Sequence, residues 1–600
     1  MNPDLLLARR DLDFLLHEWL DVSALCARER YAEHSRDTFD AVLDLSAELA
    51  AEHFAPHNAL SDANEPRFDG ETVTIIPEVG AAVRAFADAG LVSAAMDESV
   101  GGGQLPHVVQ QACFAWFQAA NVSTSSYPML TMANANLLLA HASADQVRRL
   151  VPPMLDGRWF GTMCLSEPQA GSSLADVATR AVRQEDGTFR LFGNKMWISG
   201  GDHELGENIV HLVIARVEGA PPGVKGLSLF ATPKYVVDTS GSRGERNDVT
   251  LAGINHKMGF RGTVNTVLNF GEGVHRPGGA AGAVGELVGE EGRGLAVMFH
   301  MMNEARIGVG AGAVALGYTG HLRALAYARE RVQGRPSAAK DPAAPPVPIV
   351  QHADVRRMLL ASKSYVEGGL ALILRAALLL DDQRTLPSAE ARERAGALLD
   401  VLTPIVKSWP SQWCLAANDL AIQVHGGYGY TREYGVEQLY RDNRLNPIHE
   451  GTHGIQALDL LGRKLVMNRG TGLQLLLEAI RESVARARAT GDAELSGYAD
   501  RVATAADRLA TAVAAAWESG DPQVALVNAT TGLEAAGHVV VAWTWLDQLL
   551  AAHGKEGAFY DGKRAAGRYF LTHELPKTGP MLDLLAGGDQ LFNEVDPAWL

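Results

Sequence analysis

Only four cysteines occur in 600 residues, Cys26, Cys113, Cys164 and Cys414, and no two stand at CxxC spacing. That excludes a disulfide framework or a zinc knuckle as the organising device and fits a reducing compartment. No apolar run reaches the roughly 18 residues that a membrane span requires; 539–546 comes nearest and is too short. Positive charge is in deficit, 53 Lys and Arg against 70 Asp and Glu for a net −17. That argues against nucleic acid or an anionic membrane as the main partner. Internal repeats are missing, and so is the strand–helix alternation of a Rossmann sheet. The opening MNPDLLLARRDLDFLLHEW interrupts its apolar residues with Asp and Arg and holds no signal-peptide core. The expectation is a cytoplasmic globular chain without an integral membrane segment. Its apolar share of 47% suffices for sizeable cores, and a length prior of about 150 residues per domain suggests about four domains.

What is present changes character along the chain. Residues 5–155 read as helices: 39–51 and 79–89 repeat apolar residues at helical spacing, and a further segment covers 108–119. From about Phe160 to Phe270 come short β-favouring runs, 189–192, 209–214, 227–231 and 264–270, separated by Gly, Asn and Pro turns. Helical periodicity returns by Gly294 and continues to about Leu465, broken at 334–348 by a Pro- and Ala-rich exposed loop. Gly308–Gly312, GVGAG, follows a helical run rather than a strand, so it reads as close helix packing and not as a dinucleotide fingerprint. The region 471–600 is helical again, with Val502, Ala505, Leu509 and Val513 as one apolar stripe.

The chemistry concentrates in 440–456, YRDNRLNPIHEGTHGIQ. Glu450 is a lone carboxylate beside Gly451, which lets backbone approach a ligand closely. Thr452 and Gln456 stand four apart, on one face of a helix beginning here. The stretch reads as a base delivered to a pocket from a helix start. His449-Glu450-Gly451-Thr452-His453 also matches the H-E-x-x-H of zinc peptidases, with Glu478 and Glu482 as third-ligand candidates. A zinc helix must be rigid through both histidines, and here Gly451 interrupts it and Asn446-Pro447 precedes it.

Other motifs carry two readings each. Ser166 to Ser173, SEPQAGSS, offers hydroxyls and free N–H groups to a polar ring or phosphate, or is an ordinary turn. Trp197-Ile198-Ser199 is a core tryptophan, or a flat ring beside a hydroxyl able to stack on a planar cofactor. Arg329, Arg331 and Arg335 around Gln333 form a solvated face or a phosphate clamp. QVHGGYGY, Gln423 to Tyr430, is a bare loop or a close backbone approach.

The order and spacing of LSEPQAGSS, KMWISGG, HKMGFRG, GEEGRGL, MMNEAR, YARERVQGR, QVHGGYGY and IHEGT resemble the acyl-CoA dehydrogenase family over about 39–465. YARERVQGR, DVRRMLLASK and the extra C-terminal helices resemble its larger subgroup, which includes 3-methylmercaptopropionyl-CoA dehydrogenase. The resemblance implies a mainly α fold with an inserted β domain: an N-terminal helical extension (1–38), a helical domain (39–159), a central antiparallel β domain (160–285), a helical bundle with the base (286–466) and an extra helical domain (467–600). It implies FAD and the conversion of a fatty acyl-CoA to its trans-2-enoyl-CoA in β-oxidation. Glu450 would remove the α proton while flavin N5 takes the β hydride. An electron-transfer flavoprotein would accept the electrons.

By the same resemblance Leu165 and Ser166 would donate to the flavin edge, Trp197 would pack on the ring and Ser199 approach N5. Arg331 and Gln333 would reach the FAD of a neighbouring subunit, and Gln423, Gly426 and Gly427 its pyrophosphate or adenosine end, which implies a homodimer at least. Thr452 and Gln456 would hold the cofactor from the catalytic side. Ser172, Asn303 and Arg306 match positions near the CoA portion, and Gly451 leaves room for the thioester carbonyl. No metal is implied. The chain departs from the family at His449 (usually Tyr), Ser173 (usually Asp) and Gly334 (usually Phe). Ala305 stands where some relatives carry their base. An oxidase on the same fold, the zinc peptidase, and a non-enzymatic or DNA-protecting relative are the competing readings. The last is disfavoured by Glu450 and by the acidic charge.

Overall fold

The structure is a computed structural model and describes residues 2–336, 341 and 343–600. The chain divides into two compact units: residues 44–105 with 120–305, and residues 2–43 with 106–119 and 306–600. The expected loop at 334–348 falls partly outside the described residues. The helices that carry or support the site are α1 (Arg36–Leu49), α2 (Pro77–Asp88), α3 (His107–His141), α4 (Gly294–Glu330), α5 (Ala353–Thr385), α6 (Ala389–His425), α7 (Val436–Asn443), α8 (His453–Asp459), α9 (Met467–Ala489), α10 (Ala493–Ala516), α11 (Ala529–Ala552) and α12 (Ala558–Tyr569). No helix among the described residues is long and apolar enough to cross a membrane.

The first unit is built on an eight-stranded sheet of β1 (Trp159–Cys164), β2 (Arg180–Arg183), β3 (Phe189–Ser199), β4 (Asn208–Val217), β5 (Leu227–Pro233), β6 (Val249–Ile254), β7 (Asn265–Phe270) and β8 (Ala283–Val288). Its order is β6-β7-β3-β8-β5-β4-β1, with β2 pairing β3 and β4. The four strand runs read from the sequence are all present. β4 is buried on both faces, which is why it reads as a continuous apolar run rather than an alternation. One face packs Phe189, Leu191, Val213, Phe230 and Leu268 together. Near Phe160 and Ile209, Val79 and Val83 of α2 complete a second cluster. The sheet is mainly antiparallel, as expected, with the exception that β1 and β2 both run parallel to β4. A parallel pair needs a long crossover, and the excursion through β2 and β3 between Cys164 and Asn208 supplies it.

The second unit is helical. α5 and α6 form a long antiparallel pair connected by a short turn. Pro410 cannot donate to the carbonyl of Val406 four residues earlier, and that buried carbonyl faces Gly310 of α4. A Cβ there would stand 2.1 Å from it. GVGAG is therefore close helix packing, as its sequence context indicates. The stripe Val502, Ala505, Leu509 and Val513 is buried along α10.

The segment before Arg36 belongs to this unit through buried charge. Lys563 of α12 is fully buried. Its ammonium meets Asp11, Glu367 of α5 at 3.0 Å and the Gln548 side-chain oxygen at 3.0 Å. Tyr318 donates to the other Asp11 oxygen at 2.9 Å. The Arg375 guanidinium lies over Trp543 at 3.9 Å and Trp19 at 4.9 Å. Glu18 accepts from Lys555 and Tyr560 at 2.8 and 2.7 Å. The N-terminal extension and the C-terminal helices thus share one ionic core. Lys563→Met leaves Asp11 and Glu367 short of a cation and is expected to lower stability by about 3–5 kcal/mol. An unchanged urea midpoint would show that the cluster holds nothing.

Candidate active site

In the first unit the loop after β1 is shaped by one buried ion pair. Glu167 accepts from the N–H groups of Ala178 and Thr179 at 2.7 and 3.0 Å and from Lys195 Nζ at 2.9 Å. Lys195, wholly buried, also donates to the Leu165 carbonyl at 3.0 Å. Burial alone would raise the Glu167 carboxyl, but Lys195 and the other donors outweigh it and hold it below the usual range. The Met196 N–H donates to the Ser166 carbonyl at 2.9 Å, so the loop and the end of β3 lie side by side.

Here β3 carries a bulge. Ile198 pairs with Thr266 and Lys195 with Leu268, which leaves Met196 and Trp197 opposite Val267 alone. Trp197 adopts φ +67°, a region non-glycine residues rarely occupy, and its side chain is 57% exposed. Strain of this kind persists where it serves a site. Ser199, two residues on, accepts from Asn265 Nδ2 at 3.2 Å. Leu165, Ser166, Trp197 and Ser199 are thus brought together. Ser172 lies on the exposed part of the same loop, and Asn303 is exposed on α4.

In the second unit a relay of buried asparagines carries the turn between α7 and α8. Asn443 donates to Asn418 Oδ1 at 2.7 Å and to the Ala313 carbonyl at 3.0 Å. Asn446 donates to Asn443 at 2.9 Å, and His449 Nε2 meets Asn446 Oδ1 at 3.0 Å. Glu450 and Gly451 follow with φ +53° and +87°. Two buried side chains fix this left-handed pair from behind. Gln456 Nε2 donates to the Glu450 carbonyl at 3.0 Å, and Lys407 Nζ of α6 donates to the Gly451 carbonyl at 2.7 Å. α8 starts at His453 with Thr452 as its N-cap, so the helix begins after Glu450 and not through it. This corrects the zinc geometry: His449 precedes the helix, so the two histidines do not share one face of it, and His453 turns toward Glu534 at 3.7 Å. Among the described residues, the one His/Cys/Asp/Glu set close enough to share an ion is Asp13, His17 and Asp40, where the Arg9 guanidinium already sits.

Burial lifts the Glu450 carboxyl above the ordinary glutamate value, while Lys407 and Arg306 pull it back. Lys407 is pushed down to about 7, mainly by burial, with Glu450 opposing. Burial pushes His449 to about 3, so it is neutral. Arg306 is itself buried and pairs with Asp459 of α8 at 3.1 Å, a partner it holds whether or not it also serves a ligand. No described residue accepts from the Glu450 N–H. The turn therefore presents a desolvated carboxylate and an uncommitted backbone donor side by side, the pair that enolising a carbonyl compound requires.

A third group lies elsewhere in the same unit. Arg331 follows the end of α4, donates to Gln333 Oε1 at 3.2 Å and lies 5.6 Å from the Tyr428 ring. Gln423 lies in the last turn of α6, its carbonyl accepting from Gly426 N–H, and a Cβ on Gly426 or Gly427 would meet nothing within 4 Å. Lys407 was missed by sequence reasoning. Its one signal is a lone cation in the apolar helical run VLTPIVKSWP.

Comparison with known proteins agrees across the chain. Family models match for "Acyl-CoA dehydrogenase, N-terminal domain" at 36–158, "Acyl-CoA dehydrogenase, middle domain" at 162–271, "Acyl-CoA dehydrogenase, C-terminal domain" at 292–465 and "Acetyl-CoA dehydrogenase C-terminal like" at 476–596. The chain is 36% identical over 580 residues to 3-methylmercaptopropionyl-CoA dehydrogenase of Ruegeria pomeroyi, covering 94% of each. In fold it is similar to ACDH-11 of Caenorhabditis elegans, solved with C11-CoA, at TM-score 0.76, 20% identity and coverage of 96% and 90%. An acyl-CoA dehydrogenase of Bacillus anthracis complexed with FAD follows at TM-score 0.72, 18% identity and coverage of 96% and 91%.

The Glu167–Lys195 pair gives the first unit its own test. Glu167→Gln leaves Lys195 buried without a counter-charge, and the amides of Ala178 and Thr179 are expected to exchange with solvent at least about tenfold faster. Unchanged protection at those amides would show that the loop is held by something else.

Proposed function

This chain belongs to the acyl-CoA dehydrogenase family, and we propose that Glu450 is the base with which it removes the α proton of an acyl-CoA thioester. It is an FAD-dependent oxidoreductase whose product is the trans-2-enoyl-CoA. The observation that carries the assignment is the desolvated Glu450 carboxyl on its left-handed turn, beside its own uncommitted N–H. The carboxylate takes the proton, and the N–H steadies the charge that develops on the thioester oxygen. The redox chemistry, acceptance of the β hydride, would be supplied by FAD held against the residues named below.

The residues present fit such a cofactor. Trp197 offers an exposed aromatic face with the Ser199 hydroxyl close by, and Leu165 and Ser166 lie on the loop beside it. These four hold the isoalloxazine. Arg331 and Gln333 serve the cofactor of a neighbouring subunit, with Gln423, Gly426 and Gly427 at its pyrophosphate or adenosine end. The enzyme therefore works as at least a dimer. Thr452 and Gln456 support the same cofactor from the catalytic turn, the latter by holding the Glu450 carbonyl. Ser172, Asn303 and Arg306 serve the CoA portion, Arg306 with Asp459 as its counter-ion. Electrons pass to an electron-transfer flavoprotein. All four cysteines are free, in keeping with a cytoplasmic setting.

Glu450→Gln is expected to retain FAD and to lose about 10²–10⁴-fold in the rate of flavin bleaching by acyl-CoA. Bleaching at a near-parent rate would refute the assignment. In the parent chain that rate should climb with pH, because the base acts deprotonated. The midpoint is expected above the ordinary glutamate value of about 4.3. Arg331→Ala is expected to lower FAD content or the dimeric fraction by gel filtration, and unchanged values for both would argue against a cofactor shared between subunits.

A further inference from the structure

Lys407 belongs to none of the motifs that mark the expected cofactor site, yet it is fully buried and its ammonium ends on the turn that carries Glu450. Its helix brings it there for a visible reason. Pro404 and Pro410 bracket it, and the Val406 carbonyl that Pro410 leaves undonated is seated on Gly310, so α6 lies tight against α4 at this level. Lys407 is thus fixed in place while its ammonium spans to the Gly451 carbonyl at 2.7 Å. Gln456 holds the preceding carbonyl at 3.0 Å and reaches Gly451 O at 3.5 Å. Together they oppose the relaxation of Glu450, a non-glycine residue held at positive φ.

We infer that Lys407 is a positioning residue for Glu450: it clamps the Gly451 carbonyl so that the carboxylate is aimed, and its charge sets the pH at which that carboxylate is formed. This rests on Glu450 being the base. The charged groups around the turn are few. Arg306 of α4 faces Glu450 and is answered by Asp459 of α8, which also accepts from Arg463 at 3.3 Å. His449 is neutral, and His453 is directed to Glu534 of α11. Lys407 has no carboxylate of its own within ion-pair distance among the described residues, so its charge is available to the base. Below about 7 it is an ammonium; above that it is an amine that still donates to the carbonyl. Aim is therefore kept at every pH, and the electrostatic support is withdrawn as the pH rises.

The test uses the FAD-loaded full-length enzyme and two readouts: flavin bleaching against pH, and the carboxylic-acid C=O band of Glu450 in infrared difference spectra, assigned by its loss in Glu450→Gln. Lys407→Met removes donor and charge. It is expected to move the Glu450 midpoint up by about one pH unit and to slow bleaching between about tenfold and a hundredfold at the plateau, with FAD content retained. Lys407→Arg is expected to restore both. Should Lys407→Met fail to fold, Lys407→Gln decides, since it is neutral but keeps an N–H donor: a raised midpoint supports the inference, and the parent midpoint overturns it. A Lys407→Met enzyme with parent midpoint and plateau overturns the inference while Glu450→Gln remains inactive. An active Glu450→Gln would instead overturn the base assignment, so the two failures are distinct.

Discussion

Two carbonyl oxygens, those of Glu450 and Gly451, are the constraint on which the site depends. An L-residue at φ +53° does not stay there unaided. Were the turn free, the backbone would relax toward the right-handed region and α8 would extend backward through Gly451, carrying the carboxylate round by about 100° per residue. Gln456 and Lys407 prevent this by accounting for both oxygens from inside the protein. The asparagine relay from Asn418 through Asn443 and Asn446 to His449 fixes the approach to the same turn. Glu450 is therefore held by hydrogen bonds to its main chain and not by side-chain partners of its carboxylate, the arrangement that the proposed proton removal needs.

Much of this was visible in the residues, and the remainder was hidden for definite reasons. The succession of helical, β and helical texture, the four strand runs and the packing role of Gly310 all follow from local pattern. Glu450, the proposed base, stands out because it is a single acid beside a glycine. A helix start in this stretch was legible, but not its first residue, His453, because Thr452 and Gln456 share a helical spacing whichever of 450–453 begins the helix. β1, β2, β6 and β8 escaped notice: RAVR and AVGELV, for example, have no clear alternation, and their stability comes from partners far along the chain. The left-handed Trp197 could not be inferred from KMWISGG, since its bulge exists only relative to Val267. Lys407 was invisible because its partner lies 44 residues on, and a cation in an apolar helix has no pattern of its own.

Buried ions recur in this protein at places where segments distant in sequence must be held. Glu167 and Lys195 hold the loop after β1 against the bulged end of β3. Asp11, Glu367 and Lys563 hold the first helical residues against α5 and α12. Apolar residues of similar volume could be as stabilising at either place. They would not dictate one arrangement so strictly, because an ion left without its partner is penalised far more than a methyl group shifted by an ångström. The N-terminal extension and the C-terminal helices consequently behave as parts of one core, whatever their separation along the chain.

The electrostatics of the turn follow from two demands that oppose each other. A carboxylate must lose water to become basic enough for an α proton, and losing water alone would leave it protonated and useless near neutrality. Cations close by correct the excess, but a permanent strong ion pair would overcorrect and make the carboxylate too weak a base. The turn meets both demands by dividing the positive charge. Arg306 is always charged and is largely neutralised by Asp459. Lys407 has no carboxylate of its own within ion-pair distance among the described residues and sits close to its own titration point. An always-charged group with a counter-ion and a titrating group without one together give Glu450 a field strong enough to keep it ionised and weak enough to let it accept a proton.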